Sequence, residues 1–139
     1  MTSGWLLDTN VVSELRKGSR ANLYVQAWAR SVHEPTTYLS ALVLGEVRSG
    51  IERTRRRDEA FAAQLEAWLA GLEVHFAHRI LPVDVAVAQC WGRFNAQRTV
   101  AAVDGLLAAT ALVHGLTLAT RNLADVHGLG VPCVDPFVP

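Results

Sequence analysis

Net charge is the first thing this sequence lacks: thirteen basic residues meet thirteen acidic ones, so the formal charge is zero. No global field draws the chain towards nucleic acid or an anionic membrane, and an anionic partner would have to be met locally. Cysteine is scarce too. Cys90 and Cys133 both sit in apolar surroundings, which predicts small buried thiols rather than a disulfide and fits a reducing, cytoplasmic setting. No apolar run reaches the ~18 residues of a membrane span, and Met1 to Gly4 bring no basic lead into an apolar stretch, so neither anchor nor secretory leader is expected. There is no glycine-rich phosphate loop and no Ser-His-Asp or Cys-His set at a strand–helix elbow, which leaves nucleotide-triphosphate and acyl-transfer chemistry unsupported. His75 and His78 lack companions at zinc-ligand spacing. Repeats, low-complexity tracts and linker-like shifts are missing as well.

What is present is a chain made to bury a core. Half of the 139 residues are hydrophobic and 19% are charged, the profile of a folded domain, and the length suits a single domain over 1–139. Trp5-Leu6-Leu7, Tyr38-Leu39, Arg79-Ile80-Leu81, Leu116 to Ala119 and Cys133-Val134 read as five short strands. Longer amphipathic stretches separate them, and this alternation predicts an α/β fold: a short, mostly parallel five-stranded sheet flanked by helices. Phe61, Leu65, Trp68 and Leu72 recur at helical spacing within 58–72. Val87, Cys90, Trp91 and Phe94 repeat the pattern, and 100–113 is apolar nearly all round, as a central helix would be, ending at His114-Gly115. The segments 21–32 and 58–72 carry more apolar residues than one small core needs, which predicts an interface, with Trp28 and Trp68 as its candidate members and Trp5 and Trp91 in the core.

Most of the six Asp and seven Glu occupy ordinary solvated positions. Asp8, Glu46 and Asp104 do not: each interrupts an apolar run, in Leu6-Leu7-Asp8-Thr9-Asn10-Val11, Leu44-Gly45-Glu46-Val47 and Ala102-Val103-Asp104-Gly105. A carboxylate beside the core needs a partner, a hydrogen-bond cap or a cation. Taken singly, Asp8 reads as a helix N-cap, Glu46 as a half-buried ion-pair residue, and Asp104 as a dipole partner near a helix start capped by Thr99. Taken together they suit a shared Mg²⁺ or Mn²⁺, since hard oxygen ligands favour those ions over zinc. Asp8 follows the first strand and Thr120-Arg121-Asn122 follows the fourth, at the carboxyl ends of strands where open parallel sheets bind ligands. Arg53, Arg55, Arg56 and Arg57 read first as a solvated turn between helices, and second as a patch for RNA phosphates.

Leu7-Asp8-Thr9-Asn10, Leu44-Gly45-Glu46-Val47, Val103-Asp104-Gly105 with Ala108-Ala109-Thr110, Ala119-Thr120-Arg121-Asn122 and the closing Val134-Asp135-Pro136-Phe137 together resemble the PIN-domain family, and within it the VapC toxins of bacterial toxin–antitoxin pairs. The resemblance covers essentially the whole chain. It implies a PIN-like three-layer sandwich and a Mg²⁺- or Mn²⁺-dependent ribonuclease with Asp8, Glu46 and Asp104 as metal-binding and catalytic acids. It also implies a homodimer, and neutralisation by a VapB-type antitoxin. The sequence departs from the family's pattern at Asn122, where many members have Asp. Asn122 then orients water rather than supplying charge, with Asp125 an alternative for the fourth position. Two rivals remain: an aspartate-based phosphatase, which would want a second Asp where Asn10 stands, and a PIN-like binding module that acts only through its partner.

Overall fold

The first two strands are short because each apolar run stops at a side chain able to start the next helix. The computed structural model describes residues 4–139; most of the leader expectation at Met1 to Gly4 therefore lies outside the described residues. Strand β1 (Trp5–Leu7) ends at Asp8, whose carboxylate accepts the Thr9 N–H and opens α1 (Thr9–Leu15). Asn22 caps α2 (Leu23–Ser31). Strand β2 (Thr37–Ser40) ends at Ser40, whose hydroxyl accepts the Leu42 N–H and opens α3 (Ala41–Arg55). Asp58 caps α4 (Glu59–His75), and after β3 (Ile80–Leu81) Asp84 caps α5 (Val85–Gln97). Each such cap satisfies a helix N–H that has no partner within the helix.

Helix α6 (Ala102–His114) differs. Its N-cap is Ala101 with no side-chain bond, so the expected Thr99 cap is corrected, and it stops at Gly115, whose φ of 67° is the left-handed turn glycine adopts freely. Strand β4 (Thr117–Ala119), the single-turn α7 (Leu123–Val126) and β5 (Cys133–Val134) complete the chain.

The sheet runs β3-β2-β1-β4-β5 and every pair is parallel, so the expected five-stranded α/β fold is correct and the sheet is parallel throughout. From β1 the chain goes to β2 on one side and later to β4 on the other, which makes the β1–β4 seam the place where the winding reverses. Leu7 pairs with Ala119. The next residue on each strand, Asp8 and Thr120, therefore emerge side by side at the carboxyl edge. The start of β1 is tight: a Cβ on Gly4 would lie 2.5 Å from the Thr36 carbonyl oxygen.

The main core gathers Leu6, Val11, Leu39, Val43, Val87, Leu107 and Leu118 across both faces of the sheet. A smaller one locks α3 to α4 through Val47, Ile51, Ala62 and Leu69. Other side chains of the α4 stripe do not enter it fully. Phe61 is 37% exposed, while Trp68 and Leu72 line a cavity of about 220 Å³ with Trp28 and Phe76. Trp5 meets Trp28 edge to face. Of the thiols, Cys90 is buried as expected, Cys133 only partly, and both are free.

Candidate active site at the carboxyl edge of the sheet

Parallel pairing brings the first motif to the fourth. The Asp8 N–H donates to the Ala119 carbonyl at 2.9 Å, continuing the ladder one residue past the strand. The Thr120 hydroxyl then donates to Asp8 Oδ2 at 2.7 Å, and Thr120 is 1% exposed. Asp8 Oδ1 accepts the Thr9 N–H at 2.7 Å. Both oxygens of this 7%-exposed carboxylate are thus held by donors that bring no charge. Asp8 is a helix cap, as it reads alone, and a site residue by position.

Thr9 reaches a second acid as well. Its hydroxyl donates to Glu46 Oε1 at 2.5 Å, tying the start of α1 to the middle of α3. Asp104 enters from the first turn of α6. Burial pushes its carboxyl above the ordinary carboxylate range, and the negative charges of Asp125, Asp8 and Glu46, in that order, push it further. These four acids therefore share one electrostatic neighbourhood. Among the described residues none of them makes an ion pair, although thirteen basic residues are available.

Asn122 is placed differently from the acids. It precedes α7, its N–H donates to the Thr120 hydroxyl at 3.0 Å, and its side chain makes no cap bond. Its demonstrated contribution is to the backbone turn that holds Thr120. One turn on, Asp125 lies close enough for its charge to raise the Asp104 carboxyl. The Asp125 carbonyl is held by Arg98, which also bonds the His127 carbonyl. Arg121 stacks 4.3 Å over Phe137, and its N–H donates to Asn10 Oδ1.

Two expectations for other residues resolve away from the site. His75 pairs with Glu34 rather than with a metal-ligand set. In the basic cluster, Arg55 is tied to Glu52, Glu59 and Glu66, as in a solvated helix pair.

The donor set fits a hard divalent cation: several carboxylate oxygens, crowded enough to raise one of them, and left without protein cations. Among the described residues no three acids, histidines or cysteines stand close enough to cage an ion. A cation held here would take one or two of these carboxylates and keep several waters, as Mg²⁺ commonly does, rather than be caged as in a closed zinc centre. Sequence reasoning missed Thr9 and Thr120 as positioning residues. Their signal was present in the motifs, a hydroxyl placed beside an acid in Asp8-Thr9 and one opening Thr120-Arg121-Asn122, but threonine in or near a short strand attracts no notice.

Comparison with known proteins agrees with this geometry. The PIN domain family matches residues 5–124. The chain is 34% identical to Toxin FitB of Neisseria gonorrhoeae, covering 95% of this chain and 97% of that one. It is 32% identical to VapC ribonuclease Y4jK of Sinorhizobium fredii, covering 96% and 98%. In structure it resembles FitAcB from Neisseria gonorrhoeae with a TM-score of 0.88 at 33% identity, over 97% of this chain and 99% of that one. The fold is also shared with the DNA-bound VapBC from Salmonella typhimurium, with a TM-score of 0.78 at 21% identity over 98% and 99%. A parallel sheet whose winding reverses at Asp8 and Thr120, with uncompensated acids gathered there, makes this chain a member of the PIN-domain family, of the VapC type.

Proposed function

We propose that the chain is a divalent-metal-dependent ribonuclease that hydrolyses RNA phosphodiester bonds as a VapC-like toxin. Asp8, Glu46 and Asp104 are its metal-binding and catalytic acids, Asp125 supports them, and Asn122 shapes the turn behind Thr120. The observation that carries this reading is that Asp8, Glu46, Asp104 and Asp125 share one neighbourhood while, among the described residues, none of them makes an ion pair. Folding would not leave such a cluster uncompensated without return. A bound Mg²⁺ or Mn²⁺ supplies the missing positive charge, makes water easier to deprotonate and offsets charge building on the phosphate.

The protein's own part is positional. Thr120 holds Asp8 Oδ2 and Thr9 holds Glu46 Oε1, which leaves Glu46 Oε2 and both Asp104 oxygens without protein hydrogen bonds among the described residues. Those oxygens face incoming groups at no cost in broken bonds. Its raised carboxyl lets Asp104 hold a proton more readily than an ordinary aspartate does. Without a cation the same acids repel an RNA backbone, so the metal requirement is built into the pocket's charge.

Partners belong to the same reading. The cavity lined by Trp28, Trp68, Leu72 and Phe76, beside the exposed Leu23 and Tyr24 of α2, suits a VapB-like antitoxin or a second copy of the chain, as in VapC-type toxins. The direct test is incubation of purified protein with cellular RNA and Mg²⁺, with mapping of the new ends. Discrete cuts that disappear with excess chelator are expected. Intact RNA with Mg²⁺ or Mn²⁺, or cuts that persist under chelator, would refute the proposal.

A further inference from the structure

A groove of about 230 Å³ opens between α1, α3 and α4 with Glu46 in its wall. One side is a single stripe of Thr9, Ser13 and Arg16, spaced by four and three residues along α1 and its C-cap; Phe61 and Trp68 of α4 stand opposite. From Thr9 to Arg16 the helix advances ~10 Å. The groove thus leads from an active-site acid, past two hydroxyls, to a cation.

That cation is set apart by its surroundings rather than by its lack of an ion pair, which most basic residues of the chain share among the described residues. Arg48 and Arg55 are answered by Glu52, Glu59 and Glu66, and Lys17 by Glu14. The Arg16 side chain makes no ion pair or hydrogen bond among the described residues. Its guanidinium lies 5.7 Å from the Phe61 ring centre and 5.8 Å from that of Trp68. The rings hold the group in place without neutralising it, so much of the entropy of ordering an arginine is spent before any ligand arrives. In a protein of zero net charge, a pre-ordered free guanidinium at the end of a groove that starts at the acids is a local anion site.

We propose that this groove seats the single-stranded RNA next to the scissile linkage, with Arg16 paired to a flanking phosphate. The inference rests on the ribonuclease reading for its substrate and adds where the strand lies. RNA is favoured over an acidic peptide by charge order along the groove. A strand offering one phosphate to a metal at the acids carries the neighbouring phosphate outward, towards Arg16, past the Ser13 hydroxyl, which can donate to a sugar or phosphate oxygen, the Thr9 hydroxyl being engaged by Glu46. Phe61 and Trp68 are positioning residues for the guanidinium.

Binding of a labelled single-stranded RNA is to be measured by fluorescence anisotropy over a range of salt in the Asp104→Asn background, which keeps the RNA intact. Arg16→Ala should weaken binding about tenfold and flatten the logarithmic salt slope by ~0.7, the signature of one lost phosphate contact on a single strand. Arg16→Lys should keep the slope while losing part of the affinity, and guards against a folding artefact because its charge and stem remain. Phe61→Ala should weaken binding with the slope unchanged. An unchanged slope in Arg16→Ala overturns the proposal, as does a loss confined to binding of a protein partner. The two readings part cleanly. Cleavage by the otherwise unaltered chain with binding independent of Arg16 strikes the groove alone. Arg16-dependent binding by a chain that cuts no RNA supports the groove and strikes the nuclease.

Discussion

Asp104 carries the heaviest electrostatic load of any residue at the site, because burial and three acids act on it in the same direction. A carboxyl raised in the folded state contributes stability at low pH that is lost as pH rises through its folded value; at neutral pH its ionised form is a burden. Asp104→Asn should therefore raise the melting temperature of metal-free protein at about pH 7, and the gain should shrink as pH falls into the ordinary carboxylate range. Melts in chelator at both pH values check this. Asp8 behaves oppositely. It caps α1 and accepts from Thr9, Asn10 and Thr120, so Asp8→Ala should cost roughly 1–2 kcal/mol of stability. Thr120→Val keeps shape but leaves Asp8 Oδ2 only the long 3.4 Å bond from Asn10, and should weaken Mn²⁺ affinity by about tenfold or more, as removal of the group orienting a ligand usually does. Equal titrations of Thr120→Val and parent would show that Asp8 needs no such holder.

Asp8, Glu46 and Asp104 are legible in the sequence as candidates because each interrupts an apolar run, and the structure brings all three into one electrostatic neighbourhood. Asp125 was harder to assign: on a one-turn helix it looks like any surface acid, and its neighbour Asp104 is close only in space. Thr9 and Thr120 were hidden by their own chemistry, since buried threonine is common in strands and costs nothing once bonded.

Elements repeat the lesson at larger size. β1, β4 and β5 were read correctly as apolar runs, whereas α1 escaped period counting because seven residues hold only two turns and its signal is the Asp8 cap. The cap of α6 was misplaced at Thr99, since a polar residue two positions ahead of Ala101 resembles a cap until the backbone is known. What holds α6 there is packing rather than a cap: a Cβ on Gly105 would lie 2.8 Å from the Trp91 ring of α5. Gly105→Ala would gain helix propensity of up to about 1 kcal/mol and lose more through the clash, about 1–3 kcal/mol. Denaturant unfolding should show a net loss of stability, and Asp104, one residue away, should lose metal affinity with it. A variant as stable as the parent would mean that Trp91 moves aside freely.

In the whole molecule, charge is sorted rather than simply balanced. Arginines on α3 meet glutamates on α3 and α4, Arg79 meets Glu34, and the acids at the carboxyl edge make no ion pair among the described residues. Zero net charge carries no hint of this separation, which arises only when the parallel sheet brings the ends of β1 and β4 together. On the proposed reading, this edge is kept short of positive charge so that a divalent ion can supply it. Calorimetric titration of Mn²⁺ into metal-free parent and Asp104→Asn protein tests that claim without knowledge of the RNA cut. Saturable binding in the parent, lost or weakened at least tenfold in Asp104→Asn, is expected; identical isotherms for the two proteins, or no binding by the parent, would contradict it.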